Sequence, residues 1–548
     1  MNWKFKRANP SIIFLILIIL LICVGDFLFF LKNGQFKDAA LSIIVTYSLF
    51  LIPVILFRNY LRLYAWLLIP VILFVPVTLA CIIFYNVPIN DSIVLLALDS
   101  NVQEASELAK GFILPIVFLF IFCMVVYPIL AGNVPVKIPF KNSAFISGLA
   151  LMVLLTIPFV DSNGLGFFKK IRARLYTIYP SSLVYAGTRV YKQYQLMHAT
   201  LPQRQSFSFN SKQHPAFQQK QVYILVVGES ARYDHFGING YYRNTTPKLS
   251  KQSNLISFTD TKASAFITAF SVPLILTGLG ANDFDKHLSQ TSIISAFKEA
   301  GFKTYWISNQ VDNGHIKIHI GEAANQYLLM TDAKATQNLH TDSELLGVLD
   351  KVLKEPGDKK FIVYHSLGSH YDYSARYPGS YDFYQPSNKT EFTLANDYRK
   401  KNIIINSYDN SILYRDNVLD SIINLTANQQ AVSAVYYISD HGENLFDDAR
   451  NLSQHGYPVP SKYVAKVPFF IWYSDSLKKL QPRKIAQLQL RRNKKISAVN
   501  IFYTYLDMCD IVFEGNDSLK SLCQPKFKEV PRRILGGGTN VYDADLLE

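Results

Sequence analysis

Five long apolar stretches within the first 160 residues limit what this chain can fold into more than any other feature of its sequence. Each stretch has about the 20 residues that a helix needs to cross the hydrocarbon core of a bilayer. Core helices of a soluble domain are the alternative, but so many apolar runs with so few charges favour membrane spans. The predicted spans are residues 11–31, 38–57, 63–85, 111–132 and 143–160. We therefore expect a five-helix transmembrane domain over residues 1–160.

The charges between these spans predict the orientation of the chain. Lys and Arg residues precede the first span and lie between the second and third and between the fourth and fifth. Cytoplasmic loops carry an excess of Lys and Arg, so these three places are predicted to share the cytoplasmic side. Five crossings then place the C-terminal part outside the cytoplasm. In a bacterium with an outer membrane, that part lies in the periplasm and the spans lie in the inner membrane.

The net charge of +14 does not indicate a nucleic-acid partner, because the basic residues are scattered instead of forming one aromatic-rich face. A basic cluster at residues 169–174 suits anionic lipid headgroups. We interpret residues 161–220 as a bridge made of a surface-lying amphipathic helix and a linker. Cys509 and Cys523 follow the bridge and could pair in an oxidising compartment.

The remaining residues, 221–548, alternate strand and helix patterns. This alternation predicts an α/β domain, with a mostly parallel sheet and helices on both faces. The predicted strands are 221–227, 304–307, 360–365, 434–438 and 467–473, and the predicted helices are 291–300, 343–354, 404–425 and 497–508.

Acidic and imidazole side chains come directly after several of these strands. Glu229 follows the first predicted strand, Asp440 and His441 follow a later one, and His370 follows a third. In parallel sheets, sites form beyond the carboxyl ends of the strands, so these side chains are predicted to converge. Carboxylates and imidazoles are zinc ligands. The alternative for Asp440–His441 is a plain turn that closes a strand.

Two further residues complete the candidate site. Thr268 lies at the start of an apolar, helix-like stretch, where free N–H groups favour a phosphate, although a packing or capping role is the alternative. His455 lies in a loop shortly after Asp440 and His441. Two carboxylates, one imidazole and one hydroxyl could form a tetrahedral zinc site in which the threonine becomes a nucleophile.

The motifs that carry these residues occur in an order that resembles a known family. The motifs are GESAR at 228–232, TAFSVP at 268–273, GSH at 368–370, SDHGE at 439–443 and HG at 455–456, supported by GYYRNTTP at 240–247, WISNQ at 306–310 and YDNSILY at 408–414. This order is similar to that of the phosphoethanolamine transferases of Gram-negative inner membranes. The resemblance covers nearly the whole chain and implies an alkaline-phosphatase-like periplasmic domain.

The resemblance also implies roles for individual residues. Zinc would be bound by Glu229, Thr268, Asp440 and His441. Thr268 would take phosphoethanolamine from phosphatidylethanolamine, release diacylglycerol and pass the group to a glycan acceptor such as lipopolysaccharide core or lipid A. The phosphoryl group, or a second zinc, would be held by His370 and His455, and the lipid donor would contact Ser100 and Glu104 in the outer loop.

Departures from the family pattern bear on the acceptor. The lipid A enzymes carry a disulfide beside the nucleophile, whereas residues 264–267 contain no cysteine. The segments 306–310 and 368–378 are more similar to the enzymes that modify core sugars. Two rival hypotheses remain, which are a phosphoglycerol transferase of the lipoteichoic acid synthase type and a catalytically inactive membrane scaffold.

Overall fold

The computed structural model describes residues 10–99, 112–160, 166–215, 217–310, 314–328, 341–537 and 540–548. The chain divides into two compact units. The first comprises Met1–Ala97 and Ala109–Gln193, and the second comprises Leu98–Leu108 and Tyr194–Glu548. The long helix Ser181–Ser206 contains the division between Gln193 and Tyr194.

The first unit is helical. Its helices are α1 (Ile13–Lys32), α2 (Phe36–Leu51, continued by the 3₁₀ turn Ile52–Ile55), α3 (Leu61–Leu67), α4 (Ile69–Tyr85), α5 (Asp91–Asp99), α6 (Ile113–Gly132), α7 (Phe140–Val160), α8 (Phe167–Thr177) and α9 (Ser181–Ser206). Four of the described helices are long and apolar enough to cross a membrane, and a fifth span results if α3 and α4 are taken as one bent span. The α-helical membrane domain predicted from the apolar stretches is therefore confirmed.

The bend in the third span has a local cause. The two helices α3 and α4 meet at an angle of 43°. Pro70 lies at the start of α4, where its ring and its missing N–H group prevent the preceding helix from continuing. A single apolar run in the sequence is thus divided into two helices.

The turn between α8 and α9 is fixed by a polar contact within the first unit. Asp26 is the buried carboxylate of α1, and its Oδ2 accepts a hydrogen bond of 2.7 Å from the backbone N–H of Tyr179.

In the bridge predicted over residues 161–220, the described part up to Ser206 consists of the helices α8 and α9 and not of an extended linker. Pro202 lies within α9 without ending it.

The second unit is built on an eight-stranded sheet. In chain order its strands are β1 (Gln221–Gly228), β2 (Leu255–Lys262), β3 (Lys303–Ser308), β4 (Asn325–Leu328), β5 (Lys359–His365), β6 (Val432–Ser439), β7 (Lys466–Tyr473) and β8 (Ile496–Ser497). Across the sheet the order is β8-β2-β7-β6-β1-β5-β3-β4. Strand β7 is antiparallel to both of its neighbours, and the other described pairs are parallel.

Helices cover both faces of this sheet. They are α10 (Thr268–Thr277), α11 (Ile293–Glu299), α12 (Gly314–Ile320), α13 (Glu344–Lys354), α14 (Lys401–Ala427), α15 (Lys462–Ala465), α16 (Asp475–Leu480), α17 (Pro482–Leu490) and α18 (Val499–Met508). One core contains side chains of α10, α11 and α18, and the other contains side chains of α13 and α14. Every residue of β1 is buried, as expected of a strand covered on both sides.

Shorter elements complete the second unit. Three two-stranded ladders pair Lys212–Gln213 with Ile511–Val512, Asn444–Leu445 with Ser453–Gln454, and Arg533–Leu535 with Val541–Asp543. Cys509 and Cys523 are both buried and carry free thiols. The predicted α/β class, with a mostly parallel sheet between two helical layers, is confirmed. The sequence prediction missed β2, β4 and β8, because β2 has polar or charged residues at five of its eight positions and β4 and β8 are only four and two residues long.

Candidate active site

Two carboxylates leave adjacent parallel strands at the same level. Because Gly228 of β1 pairs with Ser439 of β6, the next residues, Glu229 and Asp440, lie side by side at the carboxyl edge of the sheet. The Asp440 N–H donates to the Gly228 carbonyl at 3.0 Å. In return, Asp440 Oδ1 accepts a 3.1 Å hydrogen bond from the backbone N–H of Ser230. Both carboxylates are fully buried.

Thr268 is brought to the same place by the helix that it begins. It is the first residue of α10, and its hydroxyl donates to Glu229 Oε2 at 2.9 Å. One turn further on, Ser271 Oγ donates to the carbonyl oxygen of Asp440 at 2.6 Å. This second bond ties the start of α10 to the end of β6, so the position of the Thr268 hydroxyl is set by the sheet.

The imidazole of His441 closes the group. Its Nε2 lies 3.3 Å from Thr268 Oγ1, 3.4 Å from Glu229 Oε1 and 3.2 Å from Asp440 Oδ2. Its Nδ1 lies 2.9 Å from the carbonyl oxygen of Gly442, a contact that orients the ring when Nδ1 carries the proton. Four potential ligand atoms, three oxygens and one nitrogen, therefore face one another.

One buried oxygen in this group lacks a hydrogen-bond donor. Asp440 Oδ2 is buried and accepts no hydrogen bond from the described residues. A buried carboxylate oxygen without a donor is costly unless a cation faces it. Two carboxylates, an imidazole and a hydroxyl are also a donor set that suits zinc. The four residues thus fit a bound zinc ion.

The proton affinities of the two carboxylates diverge. Burial and then the charge of Glu229 raise the pKa of Asp440 well above its ordinary value. Burial also opposes ionisation of Glu229, but the neighbouring imidazoles, His441 foremost, hold the pKa of its carboxyl below the ordinary value. Burial lowers the pKa of His441 to about 4, so its ring is neutral near pH 7 and can act as a ligand.

Two more histidines border the group. The ring centroids of His441 and His455 are 4.0 Å apart, and those of His455 and His370 are 6.3 Å apart. Glu229, His441 and His455 each place a ligand atom within 4.8 Å of the others. His455 Nδ1 lies 3.2 Å from the buried carboxylate of Glu443, whose pKa is raised by burial to about 8.

The structure therefore brings together six of the eight residues singled out from the sequence, which are Glu229, Thr268, His370, Asp440, His441 and His455. Ser100 and Glu104 lie outside the described residues. The sequence reasoning assigned no role to Gln310, whose Nε2 donates to Glu229 Oε2 at 3.0 Å. Gln310 follows β3, so the same strand-end signal that selected Glu229 could have identified it.

Comparisons with known proteins agree with this geometry. The sulfatase family model matches residues 221–511. The phosphoethanolamine transferase EptC of Escherichia coli strain K12 is 28% identical over 522 residues, which cover 89% of this chain and 87% of the relative. The resemblance to phosphoethanolamine transferases noted from the motifs is thereby confirmed.

Solved structures support the fold and the metal. The zinc complex of the C-terminal periplasmic domain of Escherichia coli EptC is 28% identical, with a TM-score of 0.56 over 62% of this chain and 96% of that one. The membrane protein lipooligosaccharide phosphoethanolamine transferase A of Neisseria meningitidis, at 22% identity, shares the fold over 94% of this chain and 98% of its own, with a TM-score of 0.76. Since the matching family model spans more than half of its residues, this chain belongs to the sulfatase family.

Proposed function

We propose that this chain transfers phosphoethanolamine from phosphatidylethanolamine to a glycan of the cell envelope, through a phosphothreonine formed on Thr268. The observation that carries the proposal is the position of the Thr268 hydroxyl, which is half-buried at the start of α10 and lies within 3.3 Å of both Glu229 and His441. The names of the relatives supply the group transferred.

The residues around Thr268 support a nucleophilic role. Its hydroxyl is hydrogen-bonded to Glu229 Oε2, and the free N–H groups at the start of α10 favour a phosphoryl group. Zinc held by Glu229, Thr268, Asp440 and His441 would stabilise negative charge on phosphoryl oxygens and lower the pKa of the hydroxyl. The relative crystallised with zinc and the orphaned Asp440 Oδ2 support this metal.

The transfer consists of two displacements at phosphorus. In the first, Thr268 Oγ forms a bond to phosphorus, the bond from phosphorus to the glycerol oxygen breaks, and that oxygen leaves with a proton as the hydroxyl of diacylglycerol. In the second, an acceptor hydroxyl forms the new bond to phosphorus and gives up its proton, and the Thr268 hydroxyl is restored. Thr268 gives up its proton in the first step and regains one in the second, while the leaving and the attacking oxygen take the same place opposite Thr268 in turn, so each step needs a group that moves a proton there.

His370 and His455 are the proposed proton carriers and phosphoryl ligands. They border the site on the side of Glu443, and His455 is 15% exposed, so an incoming group can reach it. The alternative role for the pair is to hold a second zinc. Ser100 and Glu104 stay predictions for the lipid donor.

The acceptor and the compartment complete the proposal. The acceptor is a lipopolysaccharide core sugar or lipid A, and the catalytic domain is periplasmic and tethered to the inner membrane by residues 1–160. The apolar helices support the membrane location, and the relative solved as a C-terminal periplasmic domain supports the compartment.

Mass spectrometry of the Thr268 peptide tests the proposal. The full chain is purified in detergent from Gram-negative membranes and incubated with phosphatidylethanolamine and phosphatidylglycerol but without acceptor, and metal is measured on the same sample. We expect a phosphoethanolamine adduct on Thr268, bound zinc, and loss of the adduct in Thr268→Ala, with an unfolding midpoint in chelator that is unchanged. A phosphoglycerol adduct would support the phosphoglycerol transferase instead. An unmodified Thr268 without metal would support the inactive scaffold.

A further inference from the structure

Arg415 is a buried cation that contacts the main chain of the candidate site. It lies in the middle of α14 and is only 4% exposed. Its Nη2 donates to the backbone carbonyl of Glu229 at 2.8 Å, and its Nη1 donates to the hydroxyl of Tyr437 at 2.7 Å. Both acceptors are neutral, and no salt bridge to Arg415 occurs among the described residues, although the charge of Asp342 acts on the guanidinium from beyond salt-bridge distance. Burying a guanidinium without a carboxylate within salt-bridge distance costs free energy, which indicates that Arg415 has a specific structural role.

The Glu229 carbonyl joins three segments. Besides Arg415, it accepts a 3.1 Å hydrogen bond from the backbone N–H of Ser369, in the loop that leads to His370. The preceding residue, Gly368, has a φ of +57°, and a Cβ at that position would lie 2.0 Å from Nη2 of Arg415. A residue with a side chain there would displace the guanidinium. The loop is thus shaped to admit the arginine.

The second acceptor belongs to the other strand of the site. Tyr437 precedes Asp440 by three residues on β6, and its ring packs so closely on β1 that a Cβ on Gly228 would lie 2.5 Å from the tyrosine hydroxyl. Arg415 therefore binds Tyr437, two residues before the end of β6, and Glu229, the residue that directly follows β1. These are the two strands that present Asp440 and Glu229.

We propose that Arg415 is a positioning residue that sets the spacing of the Glu229 and Asp440 carboxylates by holding the Glu229 carbonyl and the Tyr437 hydroxyl together. The inference deepens the proposed function, since it concerns the residues proposed there as metal ligands. Groups that orient metal ligands typically change metal affinity by about 10- to 100-fold when they are removed. Arg415 acts indirectly, because it contacts the backbone carbonyl of Glu229 and not the carboxylate that would bind the metal.

Lys360 provides a matched control. It is also a fully buried cation whose Nζ donates to neutral acceptors, the carbonyls of Val352, Leu353 and Glu355 at the end of α13. It lies at the start of β5, whereas the candidate site lies beyond the carboxyl ends of the strands. Loss of either cation should destabilise the fold, but only loss of Arg415 should reach the site.

The experiment measures zinc affinity by chelator competition on the full chain in detergent, with the unfolding midpoint and the transfer rate as parallel readouts. We expect Arg415→Met to weaken zinc binding about 10- to 100-fold, Arg415→Lys to recover part of it, and Lys360→Met to change affinity less than about 2-fold. Should Arg415→Met fail to fold, Tyr437→Phe, which removes only the hydroxyl, should weaken zinc binding about 3-fold or more.

Each result decides between the hypotheses. Wild-type zinc affinity in folded Arg415→Met or, in its place, Tyr437→Phe would overturn the positioning role, as would an equal loss of affinity in Lys360→Met. If zinc binding depends on Arg415 but Thr268 never carries phosphoethanolamine, the proposed function fails and the positioning role stands. A wild-type chain that binds no zinc overturns both.

Discussion

The substitution Gly442→Ala tests whether the end of β6 must keep its position to within a fraction of an ångström. Gly442 lies between His441 and Glu443, and its N–H donates to the carbonyl of Val464 at 2.7 Å. A Cβ at this position would lie 2.2 Å from the carbonyl oxygen of Tyr463, whereas ordinary contact begins at 3.4 Å. The contact is short by about 1.2 Å, and the obstacle is backbone, which no change of rotamer can relieve.

The size of this conflict sets the expected effects. If the main chain absorbs the deficit, His441 moves by on the order of 1 Å, and a displacement of that size costs about 100-fold in rate. Overpacking of this kind costs about 1–3 kcal/mol of stability, which is well below the roughly 5–15 kcal/mol of a typical domain. The variant should therefore fold and yet lose most of its transfer activity.

The assay follows release of diacylglycerol from labelled phosphatidylethanolamine in mixed micelles, with thermal unfolding measured on the same samples. Gly347→Ala is the control, because Gly347 lies in α13 and a Cβ added there would have no neighbour within 4 Å. It should leave the rate unchanged and raise stability by up to about 1 kcal/mol. A Gly442→Ala protein with wild-type rate and wild-type unfolding would refute the reasoning.

Two further predictions concern stability. Burial lowers the pKa of His315 to about 4, below the 6.5 of an exposed histidine, so acidification from pH 6.5 to 4 protonates the unfolded chain first and costs about 3 kcal/mol. Between these pH values the unfolding free energy of wild type should fall by that amount relative to that of His315→Phe, and parallel curves would contradict the assignment. Arg204 is buried, forms an ion pair with Glu322 and donates a hydrogen bond to the His287 carbonyl. The substitution Arg204→Met should lower the free energy of unfolding by about 3–5 kcal/mol, measured by denaturant titration, and should leave zinc affinity unchanged. A smaller loss than that of an exposed Lys→Met control would contradict the second prediction.

The strand-end argument explains why much of the site could be predicted from the sequence. Glu229 and Asp440 each follow an apolar run, and strands that run parallel bring their carboxyl ends to one edge. Helices cover both faces of the sheet, so β1 and β6 are buried along their whole length. Strands of this kind appear in the sequence as continuous apolar runs, which can be recognised. The start of α10 at Thr268 agrees with the sequence, but no end was predicted for this helix, because its residues are almost all buried and show no helical periodicity.

Contacts between distant residues could not be predicted in the same way. Arg415 and Glu229 are 186 residues apart, and nothing in the polar pattern of α14 indicates that one of its cations faces the sheet. Strand β7 reads like its parallel neighbours, yet it is antiparallel to both, because direction is set by the connection and not by composition. The bend between α3 and α4 was likewise hidden within one apolar run.

The substitution Asp440→Asn distinguishes a role in metal binding from a role in folding, because it should stabilise the metal-free protein and weaken the stabilisation by zinc. Asp440 Oδ1 accepts hydrogen bonds from the N–H groups of Ser230 and His441, and an asparagine oxygen can accept both. The other oxygen, which accepts no hydrogen bond, would become an amide NH2 group that can donate to the neighbouring Glu229 carboxylate. Without metal, the raised pKa of Asp440 means that folding loses stability as pH rises through that pKa, and the amide removes this loss.

At neutral pH and in a chelator, Asp440→Asn should therefore be more stable than wild type, by about 1–3 kcal/mol. Added zinc should reverse the order, because an ion at about 1,000 times its Kd stabilises the wild type by about 4 kcal/mol, whereas the variant has lost a charged ligand. Unfolding midpoints in chelator and in zinc give both comparisons on one preparation. A general packing defect would lower the midpoint of the variant in both conditions, and a residue with no part in metal binding would leave the gain from zinc intact. The order of the two unfolding midpoints reverses between chelator and zinc only if the Asp440 carboxylate destabilises the metal-free fold and also binds the metal.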